Sequence, residues 1–140
     1  MSLFTAYATA TGITTINIIE PTVVIGLFIG GVLPFFFSAQ TMTAVSNSAQ
    51  DMIEEVRRQF REDKGIMEGT SKPDYARCVT ISTQASLREM VMPGVVAVVV
   101  PVLVGKFVGT QALGGMLAGT LVSGVLLAIM MANAGGAWDN

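Results

Sequence analysis

The sequence contains no histidine and a single cysteine, Cys78. Without imidazole there is no Ser-His-Asp or Cys-His catalysis and no His-ligated zinc, and one thiol forms no internal disulfide. Charge is scarce as well. Only 13% of the 140 residues are charged, against about 25% in ordinary soluble domains, too few to cover the surface of a soluble globule. Basic residues are not in excess: 8 Lys and Arg face 10 Asp and Glu, for a net charge of -2, so the basic stripe that nucleic-acid binding requires is missing. What remains is apolar, with 51% hydrophobic residues and a mean hydropathy of +0.62. These quantities point to a membrane protein.

The charges are confined. All but Glu20, Lys106 and Asp139 lie between Asp51 and Glu89, leaving Pro21–Gln50, Met90–Gly105 and Phe107–Trp138 uncharged. A transmembrane helix needs about 20 mostly apolar residues, and the expected spans are 22–42, 88–107 and 112–132. Residues 1–19, uncharged and rich in Thr, Ala and Gly, read as the end of a preceding helix followed by an outer loop. They have no basic n-region of a signal peptide. The segment between the first two spans carries Arg57, Arg58, Arg61, Lys64, Lys72, Arg77 and Arg88. By the positive-inside rule it is expected to be cytoplasmic, and so is the C-terminus. The expected fold class is an all-α membrane protein: about three transmembrane helices, plus the end of a fourth, from a multi-helix bundle. The whole of 1–140 forms part of one transmembrane domain.

Small residues recur at helical spacing in Gly26/Gly30, Gly105/Gly109 and Gly115/Gly119, the last continued by Ser123. Such pairs bring helix backbones together where lipid gives no hydrophobic drive. Pro34 and Pro101 fall inside spans, which is tolerated when a neighbour satisfies the freed carbonyl. Beyond the first span, Val45, Ala49, Met52, Ile53, Val56 and Phe60 keep a helical period, with Glu54 and Arg58 as an i,i+4 pair. This predicts a cytoplasmic helical loop over 43–87. Gly65, Gly69 and Ser71-Lys72-Pro73-Asp74 mark a turn, and Asp74 is placed to cap a second amphipathic helix. Cys78 is expected to be a small buried residue, and Lys106 to snorkel to the outer interface. The arginine cluster reads as a solvated basic collar, with contact to an anionic ligand as the other reading.

Asp139 is the residue with chemistry in it. A carboxylate at the C-terminal end of a helix is disfavoured by about 0.3–1 kcal/mol, and a bound cation would reverse that. Mg2+ takes oxygen ligands, commonly one or two carboxylates with phosphate oxygens and water. Gly135-Gly136 is expected to loosen the helix just before it. The plainer reading is an interfacial Asp beside Trp138 as an aromatic anchor.

The string Gly135-Gly136-Ala137-Trp138-Asp139-Asn140 resembles a signature of membrane-integral, ion-pumping pyrophosphatases. So do Leu33-Pro34-Phe35-Phe36-Phe37-Ser38-Ala39-Gln40-Thr41-Met42 and Glu54-Glu55-Val56-Arg57-Arg58-Gln59-Phe60. The series continues through Lys72-Pro73-Asp74-Tyr75, Cys78-Val79, Ile81-Ser82-Thr83, Ala85-Ser86-Leu87-Arg88-Glu89-Met90, Ala112-Leu113-Gly114-Gly115-Met116-Leu117-Ala118-Gly119 and Val122-Ser123-Gly124-Val125. The resemblance implies an internal piece of a larger homodimeric pump, covering about the thirteenth to fifteenth transmembrane helices. Such a pump hydrolyses Mg2+-pyrophosphate and drives H+ or Na+ across a membrane. It further implies that Asp139 helps to bind the Mg2+-substrate complex as a metal ligand, with Asn140 beside it. No catalytic residue is implied within the chain, which is expected to hydrolyse nothing alone, because one carboxylate cannot build a multi-metal phosphoryl-transfer site. The choice of H+ or Na+ and any K+ dependence rest on residues outside the segment. The partners implied are pyrophosphate, membrane lipid, the remainder of the polypeptide and a second subunit. The membrane can be a bacterial or archaeal cell membrane or that of a vacuole-like organelle, and the bacterial cell membrane is the expectation taken. The alternative is a small stand-alone three-span protein with a structural or assembly role.

Overall fold

A computed structural model of the chain describes residues 2–139, with side chains through Ala137. Every regular element among these residues is a helix: α1 (Ser2–Thr11), α2 (Pro21–Glu62), α3 (Gly65–Glu68), α4 (Tyr75–Glu89), α5 (Val91–Leu103), a π-helical turn (Val104–Val108) and α6 (Thr110–Asp139). Three helical stretches, Pro21–Glu62, Tyr75–Val108 and Thr110–Ala137, are long and apolar enough to cross a bilayer. The class is all-α with three membrane-spanning candidates, as the charge-free runs predict. The chain divides into two compact units, Met1–Ser38 with Val95–Asn140, and Ala39–Gly94.

In the first unit, α2 and α6 run parallel in close backbone contact, and glycine is the reason. A β-carbon on Gly26 would lie 1.9 Å from the Ala112 carbonyl oxygen, and one on Gly30 would lie 2.0 Å from that of Met116. The relation is reciprocal, since β-carbons on Gly115 and Gly119 would each come within 2.2 Å of the Val23 and Leu27 carbonyl oxygens. Both helices therefore present small ridges to the other's backbone, the arrangement expected where lipid does not drive association. Val23, Ala112 and Met116 are the buried centre of this seam, while Phe28, Val32, Val122 and Leu126 stay exposed. Lipid or further helices suit such faces equally, because a bilayer imposes no cost on exposed leucine and phenylalanine.

Pro34 lies inside α2 and has no N–H to give the Gly30 carbonyl. The Thr120 hydroxyl of α6 donates to that oxygen at 3.1 Å, so the freed acceptor is satisfied from the neighbouring helix. Gly105 and Gly109 do not form a packing pair. Nothing lies within 4 Å of a β-carbon at Gly109, whose φ of +118° makes the turn between the π-helical segment and α6. That glycine serves the backbone conformation rather than helix contact. The Gly109 amide closes the π turn onto the Val104 carbonyl at 3.0 Å. Tyr7 of α1 is buried and donates its hydroxyl to the Thr110 carbonyl at 2.7 Å. It occupies the space that a β-carbon on Gly114 would need.

In the second unit the later part of α2 packs along α4. Asp74 caps α4 as expected, accepting from the Arg77 amide at 3.0 Å. The connecting turn contains the single-turn helix α3, closed by Gly69 at φ +74°. Pro93 cannot donate to Glu89, and the joint between α4 and α5 falls there, at Met90.

Candidate functional site

The α2–α6 seam holds the helix that ends in the sequence-predicted site. Near its end, the Ser38 hydroxyl donates to the Met131 sulfur at 3.2 Å, and the Asn133 side chain bonds back to the Ile129 carbonyl at 2.9 Å. The expected loosening at Gly135-Gly136 is not found, because α6 continues unbroken to Asp139. Each glycine costs about 1 kcal/mol relative to alanine, but elongating a helix already more than six turns long needs no new nucleation. Asp139 is the last residue of α6. Its side chain, that of Trp138, and Asn140 lie outside the described residues. No group of three or more His, Cys, Asp or Glu that could hold a metal ion occurs among the residues described.

The second unit contains a polar cluster that sequence reasoning placed differently. Arg58 pairs with Glu55 and Glu62, not with Glu54. Its Nη2 lies 2.7 Å from Glu55 Oε1, and its Nε donates to Oε2 at 3.0 Å, a bidentate grip. Glu55 and Gln59 are each 7% exposed. The Gln59 amide donates to Glu55 Oε1 at 2.9 Å and to the Asp74 carbonyl at 3.2 Å, while its oxygen accepts from the Asp74 amide at 2.8 Å. Gln59 thus ties α2 to the first residue before α4. The Arg58 guanidinium, and then the Gln59 amide, hold the Glu55 carboxyl down to about 2. The same pairing raises the Arg58 value further above its ordinary range.

The helical continuation expected from the Val45–Phe60 period is found, since α2 runs unbroken to Glu62. Val45, Ile53, Val56 and Phe60 are 37–63% exposed, and the buried positions are Glu55 and Gln59. They can be buried because the geometry supplies partners for both side chains. Cys78 is half-buried rather than buried, with the Gln59 amide 3.9 Å from its sulfur. It lines an apolar cavity of about 240 Å³ with Val56, Phe60, Ile66, Pro73 and Tyr75. Lys106 stands 5.8 Å over the Phe107 ring. A larger groove of about 400 Å³ runs between α2 and α4, lined by Ser48, Ala49, Met52, Ala85, Ser86 and Glu89 among others. Chemically the Glu55 cluster is closed: its buried acceptors are taken up by Arg58, Gln59 and the α4 cap. It is a fastening of two helices. The arginine reading as an anion contact therefore loses Arg58, which is committed to two carboxylates.

A family model described as inorganic H+ pyrophosphatase matches residues 1–140. The chain belongs to this family. It is 59% identical over all 140 residues to a putative K+-stimulated pyrophosphate-energized sodium pump of Clostridium tetani, covering 21% of that protein. Over 126 residues, 90% of this chain, it is 55% identical to K+-insensitive pyrophosphate-energized proton pumps of Methanosarcina mazei and Chloroflexus aurantiacus. The match covers 19% and 16% of those two proteins. The chain thus spans about a fifth of the length of the pyrophosphatase-family pumps it matches, and relatives named for sodium and for protons match it comparably well. Sequence reasoning missed the Glu55–Gln59–Asp74 tie. Its only sequence signal was a Glu and a Gln four residues apart inside an otherwise periodic helix, and either Glu54 or Glu55 satisfied the Arg58 spacing.

Proposed function

We propose that this chain acts as part of a membrane pump that couples hydrolysis of Mg2+-pyrophosphate to movement of H+ or Na+, and that the 140 residues alone hydrolyse nothing. The observation that carries the reading is the family match over the whole chain, together with 59% identity to a pyrophosphate-energized pump. In this reading the spans are 22–42, 88–107 and 112–132. Residues 43–87 and the C-terminus face the cytoplasm of a bacterial cell, the pump is a homodimer, and the remainder of the polypeptide supplies the other helices. The concentration of Lys and Arg in 43–87 supports that orientation, as does the parallel course of α2 and α6.

Asp139 would hold Mg2+ through its carboxylate, with Asn140 alongside. Mg2+, when bound, neutralises phosphate charge. Further donors must come from outside the described residues, which carry no metal-binding cluster. The chain's own part is to position the end of α6: the glycine seam holds that helix against α2, so the carboxylate approaches the substrate from a rigid element. K+ dependence stays with residues beyond those matched here. The test replaces the matching segment of the Clostridium tetani relative with these 140 residues and changes Asp139→Asn. Removing one metal contact should raise the Mg2+ concentration needed for half-maximal hydrolysis by about tenfold or more. An unchanged Mg2+ requirement at unchanged turnover would refute the assignment.

A further inference from the structure

The glycine ridges that join α2 and α6 repeat every four residues, so they do not by themselves choose one register. Gly26 faces Ala112, Gly30 faces Met116, and Gly115 and Gly119 face Val23 and Leu27. If α6 slipped by one turn, Met116 would face Gly26, Gly119 would face Val23, and Ser123 would follow as the next small residue. Shape complementarity would largely survive. The Ser38 hydroxyl would lose the Met131 sulfur and Tyr7 the Thr110 carbonyl, but only one loss would leave a backbone acceptor of the seam without any donor. The Gly30 carbonyl is the acceptor that Pro34 leaves without its helical donor, and Thr120 meets it at 3.1 Å. After the slip the Thr120 hydroxyl would face the Gly26 carbonyl, which Gly30 can serve within the helix, and the Gly30 acceptor would be orphaned.

We propose that Thr120 is a positioning residue: its hydrogen bond to the carbonyl freed by Pro34 selects the register of α6 on α2, and with it the axial position of the α6 C-terminal end. The stripe of small residues supplies proximity, and the proline–threonine pair supplies the choice among repeats. The inference concerns the helix pair itself and does not depend on the pumping reading.

The experiment reads the register directly. In the full 140-residue chain, carrying Cys78→Ser and reconstituted in lipid nanodiscs, two reporter pairs are compared with a short thiol-specific cross-linker. Ser38→Cys with Met131→Cys reports the observed register, in which Ser38 touches Met131. Ser38→Cys with Gly135→Cys reports the slipped one, and a side chain at Gly135 meets nothing within 4 Å. With Thr120 present the first pair should dominate. Thr120→Val, which keeps shape and removes the donor, should shift the ratio toward the second pair by roughly 3- to 20-fold, the range of interhelical hydrogen bonds in membranes. Thr120→Ser should restore the original ratio. With Pro34→Ala the Gly30 carbonyl regains its own donor, so the effect of Thr120→Val should fall below about twofold.

A ratio insensitive to Thr120→Val overturns the proposal, as does dominance of the slipped pair in the unsubstituted background or failure of both pairs to cross-link there. If Thr120→Val abolishes both cross-links, their recovery on adding Pro34→Ala supports the proposal, and failure to recover refutes it.

Discussion

Replacing Gly30 with alanine adds one methyl group where the structure has no room for it. The new carbon would stand 2.0 Å from the Met116 carbonyl oxygen, whereas a close carbon–oxygen contact needs about 3.3 Å. Both atoms are on or next to backbone, so relief requires the helices to part by about 1.3 Å. The Thr120–Gly30 hydrogen bond, 3.1 Å long, would stretch beyond bonding range, and the oxygen freed by Pro34 would face hydrocarbon. Overpacking of this kind costs about 1–3 kcal/mol, and the lost interhelical bond adds about 0.6–1.7 kcal/mol. We therefore expect Gly30→Ala to weaken the α2–α6 pair by about 2–5 kcal/mol. The adjacent residue is the control: Gly31 has the same helix propensity, and a β-carbon there meets nothing within 4 Å. Gly31→Ala should leave the pair intact and raise stability by up to about 1 kcal/mol, the propensity gain of alanine over glycine. Reversible unfolding of the chain in micelles or nanodiscs, followed by a fluorophore pair on α2 and α6, measures both. Equal effects at the two positions would refute the claim that backbone contact holds this seam.

Two further outcomes concern the Ala39–Gly94 unit. Gln59→Leu removes both bonds to the Asp74 backbone and should speed hydrogen exchange at the Asp74 amide by about tenfold or more, a loss of roughly 1–2 kcal/mol; unchanged exchange would mean that the tie is not formed. Glu55 has its folded value near 2 against an ordinary 4.5, so its ionised form favours the folded unit. That contribution is complete above about pH 4.5 and fades as pH falls toward 2, because the unfolded state takes up the proton first. Glu55→Gln should flatten the pH dependence of unfolding over that interval, and a slope identical to that of the unsubstituted chain would contradict it.

Much of this was legible in the sequence because the bilayer is a demanding solvent. Uncharged apolar runs of 16 to 32 residues have few structural meanings, and they marked the three long helices. Gly26/Gly30 and Gly115/Gly119 were readable as contact pairs. Gly105/Gly109 had the same spacing, but a left-handed turn at Gly109 is invisible to a pattern of small residues. The cap at Asp74 followed from local chemistry. The Gln59–Asp74 tie did not, because its partners are fifteen residues apart and meet only once α4 folds back on α2. The Val45–Phe60 period correctly extended the first helix, which runs on to Glu62, but a period of apolar residues could not show that Glu55 and Gln59 are the buried positions there. The candidate site was legible as a motif alone, and the side-chain geometry of Asp139 and Asn140 lies outside the described residues.

The most direct test is the segment exchange without any further substitution. With these 140 residues in place of the matching stretch of the Clostridium tetani relative, membrane vesicles should hydrolyse Mg2+-pyrophosphate and take up the transported ion, while the 140 residues alone should do neither. A chimaera that inserts and assembles yet hydrolyses no pyrophosphate would contradict the account.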